Sequence, residues 1–127
     1  FWIAATGQIM VLFDDSSTQG SASQPAWLIG ASTYREGDPE DDPSIQPPAG
    51  LQQPRRGFGS VWRNTPQVRD RLGWAVGDEI PFVTTYQTAQ VGGSTQVFFA
   101  NRQSEAITLL PGGQGWLVAG FEQATVP

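Results

Sequence analysis

Glycine and proline interrupt this chain throughout: fifteen Gly and ten Pro among 127 residues are too many breakers for long helices. Seven Phe, five Trp and two Tyr favour strands and turns instead. With 39% hydrophobic residues, a chain of this length has material for one compact domain and not two. The expected fold is mainly β, built of short antiparallel hairpins with one short helix and an internal half-repeat.

The residue types that are missing narrow the chemistry. Without His or Cys there is no Ser-His-Asp triad, no Cys-His pair and none of the usual zinc ligand sets. All seven basic residues are Arg, which suits planar salt bridges and leaves no lysine for Schiff-base chemistry. The twelve acids offer carboxylate pairs, yet a glycosidase also needs a deep cleft, which so small a core rarely encloses. No enzyme activity, metal or cofactor is expected. A formal charge of -5 opposes nucleic-acid phosphates, so no nucleic-acid partner is expected. No apolar run approaches the roughly 18 residues of a membrane span, so this segment is not expected to insert in a membrane. The chain opens on Phe1-Trp2-Ile3 with neither an initiator Met nor a basic n-region, and so reads as a mature or excised piece of a longer protein.

Along the chain, Phe1–Ile3 and Gln8–Phe13 read as strands around the turn Ala4-Ala5-Thr6-Gly7, and the polar tract 14–24 reads as a loop before a third strand at Trp27-Leu28-Ile29. Residues 35–57, with the acidic run Asp38-Pro39-Glu40-Asp41-Asp42, read as an extended surface connector. Thr65 as cap, Pro66 at the first position, Val68 and Leu72 on one face and Gly73 as stop predict a helix of about two turns. Beyond it, Ile80–Thr88 and Gln96–Phe99 predict a hairpin turning at Gly92-Gly93, and Ala106–Leu110 with Trp116–Gly120 predict another around Pro111-Gly112-Gly113. At an offset of 97, Phe1-Trp2 falls on Phe98-Phe99 and Ile9–Phe13 on Ala106–Leu110; at an offset of 89, Trp27-Leu28-Ile29 falls on Trp116-Leu117-Val118. Residues 1–34 then form an N-terminal hairpin unit, the tail of a preceding half-repeat, and 58–127 a complete module, all in one compact domain.

The stretch Pro54-Arg55-Arg56-Gly57-Phe58-Gly59-Ser60-Val61-Trp62-Arg63-Asn64, followed by Arg69-Asp70-Arg71-Leu72-Gly73-Trp74-Ala75, resembles a repeat module of secreted and membrane-anchored bacterial proteins. Leu72-Gly73-Trp74 with Asp78-Glu79 is also distantly similar to the Leu-Gly-Phe-Pro (LGFP) repeats of bacterial envelope proteins. The resemblance implies an extracellular or cell-surface location and supplies no catalytic residue. Thr88-Ala89-Gln90-Val91-Gly92 departs from the Phe-Glu-Arg-Gly-like stretch of the module.

Two functions remain open. One is a non-catalytic module that adheres to a cell-wall or matrix glycan. Its site would lie around Arg55, Arg56, Trp62, Arg63, Trp74, Asp78 and Glu79, where Arg and aromatic side chains can stack on sugars and hydrogen-bond hydroxyls. The same residues also admit a structural reading, with Trp62 and Trp74 in the core and the arginines tied to Asp70, Asp78 and Glu79. The other function is a self-assembling subunit or spacer of a surface filament or larger envelope protein. In it, Phe1, Trp2 and Ile3 pair with a copy of the chain. The acidic run lacks the interleaved Gly and distant closing carboxylate of a calcium loop and reads as a solvated loop beside Arg55 and Arg56.

Overall fold

The computed structural model describes residues 1–4, 6–14, 24–81, 83, 86–91, 94–100, 105–110 and 115–120. Among these residues the strands are β1 (Trp2–Ile3), β2 (Gln8–Leu12), β3 (Trp27–Ala31), β4 (Tyr86–Val91), β5 (Ser94–Ala100), β6 (Glu105–Leu110) and β7 (Gly115–Gly120). Two helices, α1 (Arg56–Asn64) and α2 (Pro66–Leu72), lie between β3 and β4 in the chain. The fold is mainly β, as the composition predicts, with two short helices where one was expected.

Two compact units divide the chain, Phe1–Asp15 with Leu28–Ile80 and Ser16–Trp27 with Pro81–Pro127. Local pattern identifies the elements, but which apolar faces meet is a tertiary choice.

In the first unit, β1, β2 and β3 form a sheet in that order, with Trp2 opposite Ile9 and Ile3 opposite Gln8. Gly7 closes the β1–β2 turn at φ 70, a conformation that glycine adopts without strain, and donates its N–H to Ile3 O at 2.8 Å. Alternation along β2 puts Ile9, Val11 and Phe13 on one face, where they form a core with Val61 and Trp62 of α1 and Val68 of α2. Leu28, Ile45, Phe58 and Trp74 close its margin.

Helix α2 follows its sequence signals. Pro66 opens it, and Gly73 ends it at φ 69 with its N–H on Arg69 O at 3.0 Å. Thr65 occupies the cap position, but its hydroxyl makes no cap hydrogen bond. Helix α1 runs through Gly57 and Gly59, and these glycines set how closely it packs. A Cβ on Gly59 would stand 2.5 Å from Pro54 O, and one on Gly57 would stand 2.9 Å from Ser32 Oγ. Across the contact, Gly30 of β3 accepts the Val61 methyls, the nearer lying 2.9 Å from where its own Cβ would be. The Gly-Phe-Gly-Ser-Val-Trp sequence is thus a close-approach surface written onto a helix.

Segment 35–57 is organised by turns, and it is pinned inward at two places. Ile45 packs at the core margin, and Gln53 is 5% exposed. The Gln53 amide nitrogen donates to Asp42 O and Ile45 O, each at 2.7 Å, and its oxygen accepts the Asp42 N–H at 3.2 Å. Gln53→Ala would strip partners from three backbone groups of that loop and is expected to cost about 2 to 3 kcal/mol in urea denaturation. A change under about 0.5 kcal/mol would show that the staple is dispensable.

The second unit is an antiparallel sheet of order β4-β5-β6-β7, with Tyr86 opposite Phe99, Phe99 opposite Ile107 and Leu109 opposite Trp116. Ile107 and Leu109 are buried, and the Trp27 indole N–H donates to Leu110 O at 2.8 Å. Of the predicted strand from Ile80, Tyr86–Val91 forms β4, whereas Ile80, Pro81 and Val83 are exposed and outside any strand. The tip Gly92-Gly93, the turn at Pro111-Gly112-Gly113 and most of the 14–24 tract lie outside the described residues.

Strands β5-β6-β7 lie in chain order in their sheet, as β1-β2-β3 do in theirs. The pairing shifts the alignment of the half-repeat read from sequence by one residue. With Trp2 laid on Phe99, the partner Ile9 falls on Ile107, and Val11 then falls on Leu109, all four aliphatic side chains being buried. The sequence alignment had placed Ile9 on Ala106, a slip that exchanges the two faces of a strand.

Candidate functional site

A cleft of about 430 Å³ opens within the first unit, where the chain enters α1. One wall is Gln52 to Arg56 with Phe58, and the other is Ala75 with Gly77, Asp78 and Glu79. An antiparallel bridge joins the walls at its base: Gln52 N–H donates to Ala75 O at 3.0 Å, and Ala75 N–H donates to Gln52 O at 2.8 Å. Above it the Gln52 amide nitrogen donates to Asp78 Oδ1 at 2.9 Å.

Arg56 fastens the cleft. Its backbone lies at φ 53, in the left-handed region that non-glycine residues seldom adopt. Several contacts hold it there. Its N–H donates to Glu40 O at 2.9 Å, its Nε to Glu40 Oε1 at 3.1 Å, and its Nη1 stands 3.5 Å from Glu79 Oε2. The Glu40 hydrogen bond, with the charges of Glu40 and Glu79, raises the guanidinium pKa above its ordinary value. One arginine therefore links the acidic loop, the start of α1 and the turn after α2. Arg55 beside it is exposed and has no ion pair among the described residues.

The cleft gathers Arg55, Arg56, Asp78 and Glu79 from the sequence-predicted set and leaves the others elsewhere. Trp62 is 2% exposed, and its indole N–H donates to Gly73 O at 2.7 Å, so its ring is packed in the core and presents no platform to a ligand. Trp74 is half-buried beside it, ring centroids 5.4 Å apart, and Arg69 covers both rings at 4.8 and 5.9 Å. In the structure Arg69 lies over these indoles, and Arg71 stacks 3.6 Å from the Phe13 ring centre. Arg63 lies at a second, shallower depression of about 450 Å³ with Tyr34, Asp41 and Asp42, and its Nη1 is buried with no hydrogen-bond partner among the described residues. Sequence reasoning missed Gln52, Gln53 and Phe58, which carry no charge signal and matter only through position.

The acidic run is shaped by its own turns. Asp42 Oδ1 accepts the Ser44 hydroxyl at 2.6 Å and the Ser44 N–H at 2.9 Å. These bonds, with the charges of Arg63 and Arg69, lower the Asp42 pKa below its ordinary value. A carboxylate lowered in the folded state contributes stability above its unfolded pKa, and that contribution is lost as the pH falls through the folded value. Carboxyl NMR titration is expected to place the Asp42 midpoint below that of an unfolded aspartate, and a midpoint at or above it would contradict the Ser44 geometry. Among the described residues, no three metal-ligating side chains converge, and no helix is long and apolar enough to cross a membrane.

Trp2 is 57% exposed on β1, which is the edge strand of its sheet, with Phe1 also exposed and Ile3 half-buried beside it. No family model matches the chain, and neither a curated protein nor a solved structure matches it significantly.

Proposed function

We propose that the chain is a non-catalytic, extracellular or cell-surface module that adheres to a cell-envelope or matrix glycan through the cleft between residues 52–58 and 75–79. The carrying observation is the composition of that cleft: one unspent guanidinium at Arg55, carboxylates at Asp78 and Glu79, the Gln52 amide and the half-buried Phe58 ring. Planar polar groups beside one aromatic match the hydroxyls and C–H faces of a sugar. The resemblance of the 54–75 stretch to a module of secreted and membrane-anchored bacterial proteins supports the location.

Retention on insoluble cell-wall polysaccharide tests this reading. Asp78→Ala is expected to weaken retention roughly tenfold, the loss of one hydrogen bond to a charged group, with the melting temperature nearly unchanged. Retention indifferent to Asp78 and to Arg55 would remove the cleft from the function.

The exposed Trp2 on an edge strand favours a second reading, a self-assembling spacer or filament subunit that pairs through Phe1, Trp2 and Ile3. Sedimentation separates the two. A monomer that is retained on glycan supports adhesion, whereas oligomers dispersed by Trp2→Ser and lacking retention support assembly.

A further inference from the structure

Each charged side chain of the cleft except one is already engaged. Arg56 is committed to Glu40 and Glu79, and Asp78 accepts from the Gln52 amide. Arg55 stands beside them with no ion pair or side-chain hydrogen bond among the described residues. A guanidinium is a planar fork that meets a carboxylate with two parallel hydrogen bonds. Its neighbours limit how much negative charge the ligand can bring. Asp78 and Glu79 stand on the facing wall, and the chain carries a net charge of -5. A dianionic phosphate would bring two charges into a cleft that already holds both carboxylates, whereas a single carboxylate at Arg55 brings one, and the remaining lone pairs of Asp78 and Glu79 accept sugar hydroxyls.

From this juxtaposition we propose that the cleft selects acidic sugars, binding the carboxylate of a uronic acid at Arg55, its hydroxyls at Asp78 and Glu79 and its apolar face on Phe58. The proposal rests on the reading of the cleft as a glycan site. It makes Arg55 the specificity determinant and Arg56 the residue that positions the walls.

Isothermal titration of the whole chain with methyl galacturonoside, which carries one carboxylate, and with its methyl ester provides the test. The acid is expected to bind at least about tenfold more tightly than the ester, with the difference shrinking as salt is raised. Arg55→Gln, at an exposed position, is expected to erase that difference while leaving the melting temperature in place. Equal binding of acid and ester, or a preference that survives Arg55→Gln, overturns the acidic-sugar proposal while the glycan reading stands. Binding of neither probe, with no retention on cell-wall polysaccharide, removes both. Displacement of the acid by inorganic phosphate at equal concentration would show a general anion site and also overturn the proposal.

Discussion

Replacing Trp62 with alanine is expected to destabilise the protein by about 3 to 5 kcal/mol, the range for truncating a large buried aromatic. The indole lies among Ile9, Val11, Phe13, Val61 and Val68, with Trp74 against one side and the Arg69 guanidinium over its face. Truncation opens a cavity that β2 and the two helices cannot close without moving together, and it orphans Gly73 O, which accepts the indole N–H at the end of α2. Domains of this size hold only about 5 to 15 kcal/mol in all, so the variant would approach its unfolding midpoint at ordinary temperature. Trp62→Phe separates the two contributions. It keeps most of the apolar volume, loses the hydrogen bond and is expected to cost about 1 to 3 kcal/mol. Urea denaturation of the pair measures both. A cost below about 1 kcal/mol for Trp62→Ala, with glycan retention lost, would return this ring to the ligand platform that the sequence had allowed.

The contrast between the helices shows where sequence signals carry and where they fail. Helix α2 is written in local terms, a proline at its start and a positive-φ glycine at its end, so it was readable. Helix α1 contradicts local preference, with two glycines, a valine and two aromatics in nine residues and no side-chain cap. Its visible signal is the spacing of Phe58, Val61 and Trp62, the three-and-four step of a helix face, which the glycines obscured. The half-repeat shows the same limit, since strand order follows from composition while register depends on which residue faces inward. For the cleft, Arg55, Arg56, Asp78 and Glu79 flank the helices in sequence and could be grouped by charge density. Gln53 could not, because a buried amide announces itself only through the backbone groups it satisfies. The partition into units was equally hidden: the residues after β3 pack on β2, a choice made between apolar faces that look alike in sequence.

Gly59→Ala distinguishes a packing glycine from an ordinary helical one by the sign of its effect. At an exposed helix position the change would stabilise by up to about 1 kcal/mol, since alanine is the better helix former. Here the added methyl would meet Pro54 O at 2.5 Å and Arg63 Nη1 at 2.8 Å. The arginine nitrogen can swing away, but the carbonyl belongs to the backbone that leads into the cleft and is tied through Arg56 N–H to Glu40 O. Relief therefore means moving α1 or the 52–56 wall, and the expected cost is about 1 to 3 kcal/mol. Gly57→Ala is the internal comparison. Its contacts are Ser32 Oγ at 2.9 Å, with Ser32 Cβ and Ile9 Cδ1 each at 3.3 Å, and the tightest of them is the end of a side chain, so a smaller loss is expected. Because either movement changes how α1 meets the 52–56 wall, glycan retention is expected to fall with stability in the Gly59 variant, whereas in Gly57→Ala retention should hold. A Gly59→Ala protein as stable as the parent, with retention intact, would mean that α1 does not approach Pro54 this closely and that the cleft wall is set by something other than the glycine.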